Sequence, residues 1–153
     1  MDLNKPIRDV FKMLGQQLRL REIGWRLDLQ EDLPLIMGDG NRLEQVLINL
    51  VTNARDALEQ NPAGVERLLV IRSCTDQGEV VVRVSDTGPG IAENVIDRIF
   101  EPFFTTKEVG KGTGLGLSIS HAIVEDYKGA LTVTSTPGKG ATFELRFPVA
   151  PPK

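Results

Sequence analysis

Two asparagines stand four residues apart in NLVTNARDAL (Asn49 and Asn53), an aspartate leaves a β-branched run in VSDTGPGI (Asp86), and residues 110–120 read GKGTGLGLSIS. Each stretch supports a chemistry, and each has a plainer explanation. Magnesium takes oxygen ligands in octahedral geometry and keeps several waters, so one protein oxygen plus phosphates can suffice. The amide oxygen of Asn53 is the candidate, although asparagines on a helix edge are also ordinary solvated residues. Asp86, followed by two glycines around a proline, reads equally as a plain turn and as a carboxylate at the lip of an apolar pocket. In the second case it accepts a hydrogen bond from an adenine amino group, a charge-assisted bond worth about 1.5–3 kcal/mol. Gly88 and Gly90 would then let the backbone pass close beside the base.

The glycines between Gly110 and Gly116 lose chain entropy on folding, so their density asks for a reason. The commonest is a loop whose backbone approaches a phosphate at a helix N-terminus; a solvated glycine-rich loop is the plainer reading. Neither familiar phosphate motif fits, because Lys111 is followed by Gly112 and no G-x-G-x-x-G occurs anywhere. The preceding IFEPFFTTKEV places Phe100, Phe103 and Phe104 within five residues. Aromatic anchors, hinges and donors are what a loop that closes over a ligand needs. Thr105, Thr106, Lys107 and Lys111 supply hydroxyls and positive charge, and backbone N–H groups around Gly112, Gly114 and Gly116 can meet phosphates at the helix start.

The elements that must position these residues follow from periodicity. Ile7, Val10, Phe11, Leu14 and Leu18 recur at helical spacing, so residues 4–20 read as a helix. Trp25, Leu27 and Leu29 alternate with charged residues, as in a short strand. Asp39 can cap a helix over residues 40–60 that buries Leu43, Val46, Leu47, Leu50, Val51, Ala54 and Leu58 and ends at Asn61-Pro62. On that helix Arg42, Asn49, Asn53 and Asp56 fall within about 60° of one another, beside the apolar stripe. RLLVIRS and EVVVRVS, separated by TDQG, read as a hairpin. A short helix is expected near residues 92–98 and another over 115–127, stopped by Lys128-Gly129. ALTVTST and ATFELRF flank a last turn, PGKG. Strands paired as hairpins argue against a doubly wound parallel sheet. The expected fold is a two-layer α/β (α+β) sandwich, with helices on one face of a mixed, mostly antiparallel sheet.

At 153 residues the chain has the length of one domain, and no linker divides it. A net charge of −3 leaves no electrostatic footprint for nucleic acid. The single cysteine, Cys74, forms no internal disulfide, and no stretch approaches the roughly 18 apolar residues of a membrane span. The expectation is a cytoplasmic domain.

The four stretches, in this order and spacing, closely resemble the N, G1, F and G2 boxes of two-component sensor histidine kinases. The resemblance runs from about residue 3 to residue 148 and is to the catalytic, ATP-binding domain; the Phe-Phe-Thr-Thr-Lys run looks most like the nitrogen-regulatory and dicarboxylate-sensing branch. It implies the GHKL (Bergerat) fold shared with gyrase, MutL and a heat-shock chaperone, with ATP and Mg²⁺ as cofactors. By family role Asn53 ligates Mg²⁺, Asn49 supports the phosphate side and Asp86 reads the adenine. Gly88, Gly90 and Ile91 belong to the adenine pocket, and Thr142 joins its network through a water. Residues from about 99 to 113 form a lid with Phe104, Thr105, Thr106, Lys107 and Lys111. Gly112, Thr113, Gly114, Leu115 and Gly116 seat the phosphates, and Asp56 lies in the same binding set. Asn49, Asn53 and Lys107 are the expected catalytic residues.

Hydrolytic relatives resemble one another in carrying a glutamate four residues before the magnesium asparagine. Here that position is Asn49, whose amide cannot take a proton as a carboxylate does. Transfer to a protein acceptor is therefore favoured over hydrolysis, with a GHKL-type ATPase and a non-catalytic nucleotide sensor as the other readings. The family's phosphoacceptor histidine sits on a separate dimerisation hairpin. The one histidine here, His121 in HAIVED, lacks that context. The expected partners are thus an absent acceptor hairpin and a downstream response regulator, and the isolated domain is expected to be a monomer.

Overall fold

The computed structural model describes residues 1–102 and 116–151. The elements run α1 (Asn4–Leu20), β1 (Gly24–Leu29), α2 (Gly40–Leu58), β2 (Leu68–Asp76), β3 (Glu79–Asp86), α3 (Glu93–Ile96), α4 (Gly116–Asp126), β4 (Ala130–Ser135) and β5 (Ala141–Pro148). Their order matches the sequence reading. Asp39 caps α2 as expected, its carboxylate accepting from the Asn41 N–H at 2.8 Å.

The five strands form one sheet in the order β1-β2-β3-β5-β4. Only β1 and β2 run parallel, and α2 makes the crossover between them; the other pairings are antiparallel. The β2–β3 hairpin is longer than the alternation suggested. Thr75 and Asp76 stay in the ladder, and only Gln77 and Gly78 turn, both at positive φ (52° and 76°). That is the pairing a two-residue turn needs to match strand twist.

One face of the sheet carries Leu69, Ile71, Val82, Val84, Phe143, Leu145 and Phe147, all buried, against the apolar stripes of α1 and α2. On the β1 side Trp25 packs its ring 4.8 Å from Phe11 and donates from Nε1 to the Gly15 carbonyl at 3.2 Å. The opposite face is polar and held by ion pairs. Arg83 meets Glu144 at 2.8 Å, and Arg146 meets Glu144 at 2.9 Å and Asp76 at 2.6 Å. Burial pushes the Glu144 carboxyl up, and the two arginines more than reverse this, leaving it below its ordinary value. No helix among the described residues is long and apolar enough to cross a membrane.

α4 ends as its sequence suggested, with the roles of the two stop residues divided. Lys128 takes the left-handed conformation (φ 62°), whereas a Cβ on Gly129 would collide with the Arg146 carbonyl and the Phe147 ring.

Candidate functional site

The polar residues singled out in the sequence lie along α2 and at the ends of the elements packed beside it. At one end, the Asn49 side chain reaches α4: its Nδ2 donates to the Gly116 carbonyl at 3.2 Å and to Ser120 Oγ at 3.1 Å. Its Oδ1 accepts from Gln45 Nε2 at 2.9 Å. One turn further on, Asn53 is half-buried, and its amide makes no hydrogen bond among the described residues. Asp56 is a quarter exposed and lies 3.1 Å from the Arg55 guanidinium. One turn beyond Asn53, Ala57 touches the loop after β3, where a Cβ on Gly88 would stand 3.2 Å from the Ala57 methyl. At 1.5 Å per residue, Asn49 and Ala57 are about 12 Å apart along the helix. The two ends of the site are thus set by one rigid element.

Asp86 ends β3 on the sheet face that carries Val82 and Val84, and it is 8% exposed. Its Oδ1 accepts from the Gly88 N–H at 2.8 Å. Burial raises its carboxyl above the usual range, and hydrogen bonds from the backbone of Gly88 and Ala141 offset part of that. A buried carboxylate with acceptor capacity left, at the rim of an apolar face, is suited to an amino-group donor.

The glycines beside Asp86 have a reason internal to the fold. Gly90 has φ 78°, and a Cβ there would stand 2.6 Å from the Thr136 carbonyl. Ile91 donates its N–H to Ser135 Oγ at 2.8 Å, and Ser135 in turn donates to the Gly140 carbonyl at 2.9 Å. The loop after β3 is therefore strapped to the β4–β5 turn, and the room left by Gly88 and Gly90 is filled by neighbouring protein atoms.

Thr142 needs correcting. It pairs with Ser85 in the β3–β5 ladder, and its Oγ1 lies 2.9 Å from Ser85 Oγ. Successive strand residues face opposite sides, so Thr142 points to the polar face, away from Asp86. Ala141 is the residue opposite Asp86. The alternation of Ala141, Phe143, Leu145 and Phe147 carried that information in the sequence. Ser120, Gln45, Ser135 and Gly140 were missed as well. Ser120 alone left a trace, a hydroxyl on a helix face between Ile119, Ile123 and Val124.

Of the loop residues, Phe100 stacks 5.1 Å from His121 and edge-on to Phe143 at 6.4 Å. Phe103, Phe104, Thr105, Thr106, Lys107, Lys111, Gly112, Thr113, Gly114 and Leu115 lie outside the described residues. No group of three or more His, Cys, Asp or Glu side chains that could hold a metal occurs among the described residues. One amide oxygen with phosphates and waters can suffice for a magnesium ion. Asn53, half-buried and without a hydrogen bond among the described residues, fits that demand.

Residues 38–151 match the family described as histidine kinase-, DNA gyrase B-, and HSP90-like ATPase. The two-component sensor PprA of Pseudomonas aeruginosa is 44% identical over 142 residues, covering 92% of this chain and 15% of that protein. The catalytic domain of histidine kinase ThkA superposes with a TM-score of 0.83 at 36% identity, over 97% of this chain and 93% of that one. ThkA has also been solved in complex with the response regulator protein TrrA. Full-length ShkA in complex with AMPPNP aligns with a TM-score of 0.84 at 30% identity, over 99% of this chain and 31% of that one.

Proposed function

The chain belongs to the histidine kinase-, DNA gyrase B-, and HSP90-like ATPase family as a histidine-kinase catalytic domain, and on that premise we propose that it binds MgATP along α2 and donates the γ-phosphate to a histidine on a separate hairpin of its parent protein. The observation that carries this reading is the layout along α2. A buried carboxylate stands at one end, the N-terminus of α4 at the other, and the half-buried Asn53 amide between them.

Asp86 orients the nucleotide by accepting from the adenine amino group. The N-terminus of α4 offers the positive end of a helix dipole to the phosphates. Asn53 holds the metal by its amide oxygen. A magnesium ion held there would supply neutralisation of the phosphate charge. Asn49 is no general base, since its amide is not basic and both its hydrogens are engaged by α4. Water is therefore not activated at that position, which favours transfer to a protein acceptor. Lys107 is proposed to act on the transferred phosphate from the lid over residues 99–113.

His121 is not the acceptor in this reading. Its Nδ1 lies 3.0 Å from Glu125 Oε1, and its ring stacks on Phe100. The acceptor hairpin, a response regulator as downstream partner, a cytoplasmic location and a monomeric domain complete the proposal. The chain spans 15% of the length of PprA.

Titration with Mg·AMPPNP, together with γ-labelled ATP, tests this. Wild-type chain binds the analogue and releases negligible phosphate. Asn53→Ala weakens Mg·AMPPNP binding about tenfold or more by removing a metal ligand, and leaves adenosine affinity unchanged. Rapid phosphate release abolished by Asn53→Ala would make the domain a hydrolase, and absence of binding would remove the nucleotide reading altogether.

A further inference from the structure

Ser120 is fully buried in the second turn of α4, and the reading above gives it no task. Its hydroxyl sits 3.1 Å from Asn49 Nδ2, beside the Gly116 carbonyl at 3.2 Å from the same nitrogen. A carbonyl only accepts, so the nitrogen of the Asn49 amide must face α4, with one hydrogen directed to each partner. The oxygen then faces Gln45, which donates to it at 2.9 Å. Asn49 is a strut between the two helices, fixed at both of its polar ends. Another tie between them, Arg42 to Asp126 at 2.7 Å, lies at the far end of α4 and on the surface. It anchors the helix without setting its first turn.

We propose that Ser120 is a positioning residue for the phosphate end of the site: by accepting one hydrogen of Asn49 it locks that amide against Gly116 and keeps the first turn of α4 in register with Asn53. The proposal rests on the nucleotide reading. Without the hydroxyl, one Asn49 hydrogen is left in a buried place with no acceptor, and the amide is free to rotate away from Gly116. The phosphate seat loosens, while the adenine end, built on β3 and β5, keeps its geometry.

The test is a double-mutant cycle on the whole chain, read by titration with Mg·AMPPNP and separately with adenosine. Ser120→Ala is expected to weaken Mg·AMPPNP binding about three- to tenfold, the size of one lost hydrogen bond, and to leave adenosine unaffected. In an Asn49→Ala background the same substitution is expected to change nothing further, because the residue acts through Asn49. Gln45→Ala, at an exposed position, is expected to weaken Mg·AMPPNP in the same direction. Additive losses in the Asn49→Ala background, or equal losses for both ligands, would make Ser120 a packing residue and overturn the proposal. Wild-type affinity in both Ser120→Ala and Gln45→Ala would overturn it too. A wild-type chain that binds neither ligand would instead defeat the nucleotide reading itself.

Discussion

Asp86 carries its charge where burial resists it, and two backbone N–H groups only partly compensate. Its folded carboxyl therefore titrates above the unfolded value of about 3.9. A group raised in this way supports the fold fully below the unfolded value, and that support is lost as pH rises through the folded one. The proposed adenine recognition runs the other way, because the ionised form is the stronger acceptor. Between the two values, rising pH is expected to weaken the apo fold and strengthen adenosine binding, seen by calorimetry and titration from pH 4 to 7. Asp86→Asn is expected to abolish both trends, to hold or raise the melting temperature, and to lower adenosine affinity about tenfold to a hundredfold. An unchanged pH profile in that variant would remove Asp86 from adenine recognition. The buried strand end at Asp86 was legible because an acid among glycines at the close of a β-branched run is conspicuous. Gln45 was not, because a polar residue on an amphipathic helix looks the same whether it faces water or a neighbouring amide.

At the scale of elements, the sequence described the helices and strands well, since each has an uninterrupted period of its own. It was less informative where two elements meet. The turn PGKG reads as a hairpin connection and nothing more, yet the structure straps it to the loop after β3 through Ser135 and through Gly138, whose N–H donates to the Pro89 carbonyl at 2.6 Å. Gly140 is the tightest point, with φ 96° and no room for a Cβ against the Asp86 carbonyl. Gly140→Ala is expected to destabilise the fold by about 2 kcal/mol or more, combining left-handed strain with a backbone clash. Denaturant unfolding measures this, and a loss below about 0.5 kcal/mol, the size of an ordinary surface change, would show that the turn can move away. The Thr142 misplacement has the same origin. Which face a strand residue occupies is fixed by register with its neighbour, and register is a relation between two segments.

For the molecule as a whole, α2 is buried against the sheet, α1 and α4, and the same helix carries both ends of the site. A ligand that bridges those ends binds only the folded chain, so nucleotide and stability are linked. At a hundred times the dissociation constant, MgATP is expected to add about 2.7 kcal/mol and raise the melting temperature by about 5–10 °C, with most of the shift lost when EDTA removes the metal. An equal shift with and without EDTA would place the binding energy on the adenine end alone. The chain also contains its own optical probe for such experiments. Its one tryptophan, Trp25, lies between Phe11, Gly15 and Arg19, on the β1 side of the sheet. None of its partners belongs to the proposed site. Indole emission will thus follow unfolding and stay silent on occupancy, so nucleotide titrations that use a bound fluorophore can be checked against an intrinsic signal that reports whether each variant is still folded.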